Sequence, residues 1–348
     1  MRHVFTDLAA LRAQDFDTII DVRSPSEYAE DHVPGAVSMP VLSDAERAHV
    51  GTIYVQDSPF KARKIGAALV ARNAARHIEE HLMGFDGGWR PLVYCWRGGQ
   101  RSGSFASILN QIGWRAEVLD GGYRTWRRHV SGSLYDAVLP YRFVRLAGLT
   151  GTAKTEVLGR VAALGCQVVD LEALANHRGS ILGDVMGRQP AQKGFESALI
   201  AALSGFDPAR PVLVEAESPR IGTLRLPPAL WVVMRAAPRI TLEASVGARA
   251  RYLAGVYADL MADVSGLARR LGGLRGFVGH ATVDEWLALV QAGEAETLAT
   301  QLIELHYDKA YGRLRLDDET AVLARIDAGD LGEAAQAAAA RAVMAHLI

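Results

Sequence analysis

The chain has 348 residues, a formal net charge of −1, 49% hydrophobic and 22% charged side chains. This is globular usage that excludes disorder, and the bulk charge gives no argument for nucleic acid, though a local basic face stays open. Two cysteines, Cys95 and Cys166, make neither a disulfide framework nor a zinc cluster, and the length suits two domains, with or without a helical appendage. The opening run MRHVFTDLAALRAQDFD is too charged for a secretory leader, and no apolar run reaches membrane-spanning length. The expectation is a cytoplasmic protein with no membrane partner.

Short apolar runs alternate with helical patterns from the start. Thr18–Arg23 (TIIDVR) reads as a buried strand, and Ser24 with Glu27 three residues on has capping-box spacing. Further strands are expected at Ala36–Pro40, Pro91–Cys95 and Ala116–Gly122, the last closed by a Gly-Gly turn. Between them, Phe105, Ile108, Leu109 and Ile112 share one helical face. Ser131–Pro140 (SGSLYDAVLP) breaks the pattern and is expected to be a linker. A second alternation starts at Tyr141, with strands expected at Arg142–Ala147, Cys166–Asp170, Pro211–Glu215 and Leu230–Met234. From about Thr241 the pattern is mainly helical and ends in an alanine-rich helix. The fold class is therefore α/β: a first parallel-sheet domain, then a second one with a helical C-terminal region. The expected boundaries are 1–130, a linker at 131–140, 141–280, and a helical region at 281–348.

The stretch LVYCWRGGQRS (Leu92–Ser102) places Cys95 at the C-terminal end of a buried strand, the edge where parallel sheets bind ligands. Gly98 and Gly99 allow the loop to curl so that backbone N–H groups point inward, and the following helix adds positive potential at its N-terminus. Arg97 and Arg101 add charge. These features favour thiolate over thiol. Cys95 is the expected nucleophile, and Arg97, Gly98, Gly99, Gln100, Arg101 and Ser102 are the expected anion loop. Cys166, in LGCQVV, has no such surroundings and reads as core.

GLTGTAKT (Gly148–Thr155) lies between an expected strand and helix. It matches the phosphate-loop pattern Gly-x4-Gly-Lys-Ser/Thr except that Ala153 stands at the second glycine. Gly148, Thr150, Gly151, Thr152, Lys154 and Thr155 are the expected diphosphate-binding residues. Lys154 is the point charge, and Thr155 is the ligand to a metal if one accompanies the phosphates. Because the Ala153 methyl can crowd a phosphate or shift the loop, tight ATP binding and hydrolysis do not follow from the pattern. The partner acid is Glu215, Glu217 or Asp170. No dedicated metal site is expected.

Two families build a cysteine loop of this kind: rhodaneses, and phosphatases with a Cys-x5-Arg loop. The spacing from Cys95 to Arg101 equals the phosphatase loop. The remainder of residues 1–130 resembles rhodanese, through DVRSPSEYAEDHVPGAVSMP and VLDGGYRTW. The loop is one residue longer than the usual rhodanese loop, which suits a seleno- or thiophosphate. A rhodanese domain followed at once by a phosphate-loop domain resembles the tRNA 2-selenouridine synthase family. The resemblance extends through Gly51–Val70, Tyr94–Ser104, Leu174–Ser197, Val214–Gly222, Arg270–Gly273 and Leu305–Arg313.

The resemblance implies two-step chemistry on wobble 2-thiouridine in tRNA. Geranyl diphosphate alkylates the sulfur, and selenium from selenophosphate then replaces it. It implies geranyl diphosphate and selenophosphate as co-substrates, no firmly required cofactor, magnesium as an optional ion, and an enzyme that supplies selenophosphate as a candidate partner. The phosphate loop is assigned to geranyl diphosphate and the Cys95 loop to selenophosphate, or to selenium carried as a selenosulfide. Arg124, Arg127, Arg128, Arg249, Arg251, Arg269, Arg270 and Arg275 are candidates for a local basic surface. Trp96 and Tyr123 are candidates for stacking on a base, and the Asn176–Ser180 loop for contacting phosphate or tRNA. The rival readings are a rhodanese-type sulfurtransferase with a regulatory nucleotide domain, a Cys-x5-Arg phosphatase fused to a kinase-like domain, and a nucleotide-gated scaffold without catalysis.

Overall fold

The computed structural model describes residues 1–178, 188–215, 218–256, 258–309 and 320–348. They form two compact units. One comprises Met1–Val138 with Pro190–Gly205, and the other Leu139–Gln189 with Phe206–Ile348.

The first unit is built on five parallel strands: β1 (Arg2–His3), β2 (Thr18–Asp21), β3 (Ala36–Ser38), β4 (Pro91–Tyr94) and β5 (Glu117–Leu119). Their order is β1-β5-β4-β2-β3. All four residues of β4 are buried, as expected of a strand covered on both faces. The helix Gln100–Ile112 turns Phe105 and Leu109 fully inward, while Ile112 at its end is half exposed. The capping box at Ser24 and Glu27 is present.

The second unit carries β6 (Arg142–Gly148), β7 (Gln167–Val169), β8 (Pro211–Glu215), β9 (Arg220–Ile221), β10 (Leu224–Arg225), β11 (Arg239–Glu243) and β12 (Val322–Asp327). β9 and β10 form a small antiparallel hairpin. The other five make a parallel sheet in the order β12-β11-β6-β8-β7.

Two elements differ from the sequence expectation, and two stretches refine it. Leu230–Met234 lies in the helix Pro228–Ala236, not in a strand. Pro228 sits at the first helical position, and Leu230 and Met234, four apart, are buried while Val232 is 66% exposed; that is a helical period. The strand of this region is instead β11. The expected linker Ser131–Pro140 begins helically, since the helix Tyr123–Ser131 continues into a π-helical turn, Gly132–Asp136, which buries Leu134, and the two units divide within it, after Val138. The C-terminal region is mainly helical as expected, with the addition of β12, which pairs with β11, while the last helix, Glu333–Met344, packs Ala339, Ala340 and Val343 into the sheet's core. Finally, the helix Gln192–Leu203 groups with the first unit. There Ser197 accepts from Trp126 Nε1 at 3.1 Å, Glu196 pairs with Arg127, and Tyr135 donates to Glu196 at 2.6 Å.

Candidate active site

The thiol loop starts where β4 ends. Cys95 is 4% exposed, and its Sγ accepts from the Gly99 N–H at 3.3 Å and from the Ser102 hydroxyl at 3.2 Å. Gly99 is the N-cap of the helix that begins at Gln100, so the helix's positive end faces the sulfur. Burial pushes the thiol pKa up, but the Ser102 hydrogen bonds, the Arg101 charge and the loop amides outweigh it, and the net shift is downward.

Two glycines let this loop close. Gly98 has φ +64°, and a Cβ there would lie 2.5 Å from the Leu119 carbonyl oxygen. Gly122 has φ +61°, and a Cβ there would collide with the Cys95 carbonyl and the Gly98 amide. The close approach has a purpose. Tyr123 N–H donates to the Cys95 carbonyl at 2.9 Å, and Arg124 N–H donates to the Trp96 carbonyl at 3.0 Å. The Gly-Gly turn and the helix that follows it therefore anchor the outward backbone of the thiol loop.

Arg101 is engaged. Its Nη1 donates to Glu27 Oε2 at 2.9 Å, and the same oxygen forms an ion pair with Arg47 Nε at 2.9 Å. Burial raises the Glu27 pKa, but the two arginines and Ser24 bring it below the usual range. Glu27 thus both caps a helix and sets the position of Arg101. Its spacing from Ser24 revealed only the cap. Arg97 and Gln100 are exposed at the rim. Asp21 and Arg23, the ends of the DVR motif, form a buried pair at 2.7 Å. Arg23 lies 3.8 Å from the Tyr123 ring centroid, and the Tyr123 hydroxyl donates to Asp31 at 2.7 Å. That motif is a structural staple beside the thiol loop.

The phosphate loop spans the end of β6 and the helix Lys154–Ala163. Lys154 Nζ donates to the Gly148 carbonyl at 3.1 Å, and Thr152 Oγ1 donates to the Leu149 carbonyl at 2.9 Å. A Cβ on Gly148 would stand 2.5 Å from Thr152 Oγ1. Ala153 occupies a left-handed conformation, φ +56° and ψ 35°, which explains why the pattern asks for glycine there. Its methyl is buried with Val157, Leu158 and Leu242 in the sheet's core, so the expected crowding of a phosphate by this methyl is replaced by core packing.

Thr155 Oγ1 donates to Glu215 Oε1 at 2.9 Å and lies 3.3 Å from Glu172 Oε2. Glu215 is fully buried at the end of β8, and its Oε2 has no hydrogen-bond partner among the described residues. Burial, with Glu172 nearby, pushes its pKa up to about 8. Asp170 instead N-caps the helix Leu171–Ala175 through the Ala173 N–H at 2.8 Å. Glu217 lies outside the described residues, as do part of the Asn176–Ser180 loop and residues 310–313 of the Leu305–Arg313 stretch. Among the described residues no three His, Cys, Asp or Glu side chains gather into a metal-holding cluster.

Arg249 was expected on a basic surface, but it is 1% exposed. It makes two bonds to Asp308, at 2.6 and 3.0 Å, and its Nε donates to the Thr150 carbonyl at 2.8 Å. It is a brace for the phosphate loop, which no local sequence pattern announces because Asp308 is 59 residues away. Arg127 is likewise held by Glu196, and Arg275 by Asp284. Tyr123, 1% exposed, has no free face for a base. Trp96, 36% exposed, and the exposed Arg124, Arg128 and Arg269 stay on the surface. Cys166 is a partly buried edge of the core.

Comparison with known proteins adds the following. Residues 5–129 match the rhodanese-like domain, and residues 141–282 match the tRNA 2-selenouridine synthase AAA domain. The tRNA 2-selenouridine synthase of Verminephrobacter eiseniae is 32% identical over 94% of this chain and 98% of its own. That of Cupriavidus necator is 33% identical over 89% and 91%. That of Alcanivorax borkumensis is 33% identical over 74% and 77%. No helix among the described residues is long and apolar enough to cross a membrane.

Proposed function

The chain belongs to the tRNA 2-selenouridine synthase family of tRNA-modifying transferases, and from that premise we propose a two-step conversion of wobble 2-thiouridine to 2-selenouridine. In the first step the thiocarbonyl sulfur attacks C1 of geranyl diphosphate. The C–O bond breaks and the diphosphate leaves. In the second, the selenium of selenophosphate attacks C2 of the base, the geranylthiolate departs, and water cleaves the Se–P bond to release phosphate. tRNA carrying the thiolated base is the partner.

One observation supports this reading: at the C-terminal edge of its parallel sheet one unit sets the Lys154 ammonium against the Gly148 carbonyl, and the other sets a thiol of lowered pKa against the Gly99 N–H and the Ser102 hydroxyl. The phosphate loop suits the diphosphate, whose departing charge Lys154 and the loop amides stabilise. Arg249, through the Thr150 carbonyl, fixes the loop that presents them. Thr155 would supply the hydroxyl ligand to a magnesium ion that accompanies the diphosphate. The Cys95 loop suits selenophosphate, whose oxygens meet the rim of Arg97 and Gln100, with Sγ on the floor. Trp96 at that rim offers a ring face to an extruded base.

The test is incubation of the purified protein with 2-thiouridine tRNA, geranyl diphosphate and selenophosphate, with mass analysis of the wobble nucleoside. The expected products are the S-geranyl and then the 2-seleno nucleoside, and absence of both from folded protein refutes the reading. Cys95→Ser is expected to keep geranylation and lose selenation, and Lys154→Ala to lose geranylation. If Lys154→Ala geranylates normally but fails to selenate, the two cradles are assigned the wrong way round.

A further inference from the structure

In the first unit the helices Asp44–Gln56 and Pro59–His77 pack together, joined by Asp57 and Ser58. The second has 19 residues, with five Lys or Arg and no Asp or Glu, in a chain whose acids and bases balance at 39 against 38. Stability does not explain the bias. Lys61, Arg63 and Lys64 stand in the first two turns, where the helix dipole disfavours cations. Asp57 offsets Lys61, at 2.6 Å. Lys61, Lys64, Ala68, Arg72 and Arg76 recur at three- and four-residue spacing and are all exposed, so they make one stripe about 22 Å long. The opposite face buries Ala62, Val70, Ala74 and His77. At the turn, Tyr54, Val55 and Phe60 are each more than half exposed, and Lys64 Nζ lies 5.1 Å from the Phe60 ring centroid. The other end is tied to the thiol loop. Asn73 Nδ2 donates to the Val41 carbonyl at 3.0 Å and to Glu46 Oε2 at 2.9 Å, and the neighbouring Arg47 pairs with the Glu27 that holds Arg101. The stripe therefore has its Arg72 end toward the thiol loop and runs out to the turn.

We propose that this stripe and turn form a docking surface for the tRNA, with the four cations on phosphates and with Tyr54 and Phe60 stacked on unpaired bases. The inference rests on tRNA being the substrate, and it adds where the rest of that molecule lies while its target base is at the thiol loop. Charge complementarity is the main support. The chain as a whole carries a net charge of −1, so it must hold a polyanion with a local basic surface. At the rise of a stacked strand, the stripe matches about six phosphates. The exposed positions between the cations, Ala67, Ala68, Ala71 and Ala75, are small, so a sugar–phosphate backbone can come close to the helix. The same alanines speak against a lipid surface, which takes bulky apolar side chains on the face that meets it. Exposed aromatic rings beside cations suit the unstacked bases of an RNA loop.

Fluorescence anisotropy of a labelled tRNA transcript with the full chain tests this, from about 0.05 to 0.3 M salt. The triple variant Lys64→Ala, Arg72→Ala, Arg76→Ala is expected to bind at least about tenfold more weakly at about 0.15 M salt, and to flatten the slope of log affinity against log salt by about 2. Tyr54→Ala combined with Phe60→Ala is expected to lose at least about fivefold with the slope unchanged. Ala68→Lys adds a charge in the middle of the stripe. It is expected to bind about fourfold more tightly at about 0.15 M salt with a steeper slope, a gain that misfolding does not produce. Wild-type affinity and slope in the triple variant, or no gain in Ala68→Lys, overturns the proposal and leaves the tRNA reading intact. Were the triple variant to keep tRNA but lose binding to vesicles containing phosphatidylserine, the face would be a membrane surface and the proposal would fall. Failure of the wild type to bind tRNA at all removes the tRNA reading and the proposal together.

Discussion

Replacing Ser102 by alanine tests what makes the Cys95 sulfur anionic. The Ser102 hydroxyl is buried, lies 3.2 Å from Sγ and 3.3 Å from the Gly99 carbonyl, and is the first of the influences that lower the thiol pKa against the cost of burial. A hydrogen bond to a charged acceptor contributes about 1.5–3 kcal/mol, so its loss lowers the thiolate population roughly ten- to hundredfold where the thiol is mostly protonated. The Gly99 N–H, the helix N-terminus and the Arg101 charge stay in place, so some thiolate persists. The assay is alkylation by iodoacetamide in a Cys166→Ser background, which leaves Cys95 as the only thiol, followed from about pH 5 to pH 10. The variant should react more slowly at low pH by that factor, and the two rates should converge as pH rises above both thiol pKa values. Equal rates at low pH would refute the hydrogen-bond account. A faster variant at every pH would show that the substitution merely loosened the loop.

Three further outcomes follow from the same geometry. Ala153→Gly relieves left-handed strain of about 1–2 kcal/mol but loses a buried methyl of about 0.8 kcal/mol and adds unfolded-state freedom of about 0.4–1 kcal/mol, so its urea midpoint should move little. Ala153→Val, which cannot easily take that conformation, should lower stability by about 2 kcal/mol or more. Gly122→Ala drives a Cβ into the Cys95 carbonyl and the Gly98 amide; alkylation of Cys95 at low pH and selenation should both fall, while geranylation should persist. Glu215 binds its proton more tightly when folded, with a pKa of about 8 against an ordinary 4.5. The folded chain therefore holds more protons than the unfolded one between those values, and stability falls as pH rises through that window. The loss is a few kcal/mol at most, and Glu215→Gln should flatten it in chemical denaturation at about pH 5 and pH 8.

Much of this molecule is written in short windows of sequence. A strand that stops at a cysteine, two glycines and a following helix is a local arrangement, and it predicted a thiol cradle because backbone geometry within ten residues decides where amides point. The phosphate loop was legible for the same reason, and so was the Ser24 capping box. Residues Leu230–Met234 misled because a short apolar run fits either period until Pro228 and the burial of Leu230 and Met234 settle it.

Tertiary structure alone decided the partners. Arg249 meets Asp308 and Thr150, Glu27 meets Arg101, and the Gly122 turn meets the Cys95 carbonyl, across separations of 59, 99, 74 and 27 residues. It also turned the Ala153 methyl into the core and brought β12 back to the sheet beside β11. The physical reason is the range of the forces involved. Turn, cap and loop conformations are chosen by sterics and hydrogen bonds among near neighbours in the chain, whereas ion pairs and burial depend on which distant segments the closed sheet brings within a few ångströms.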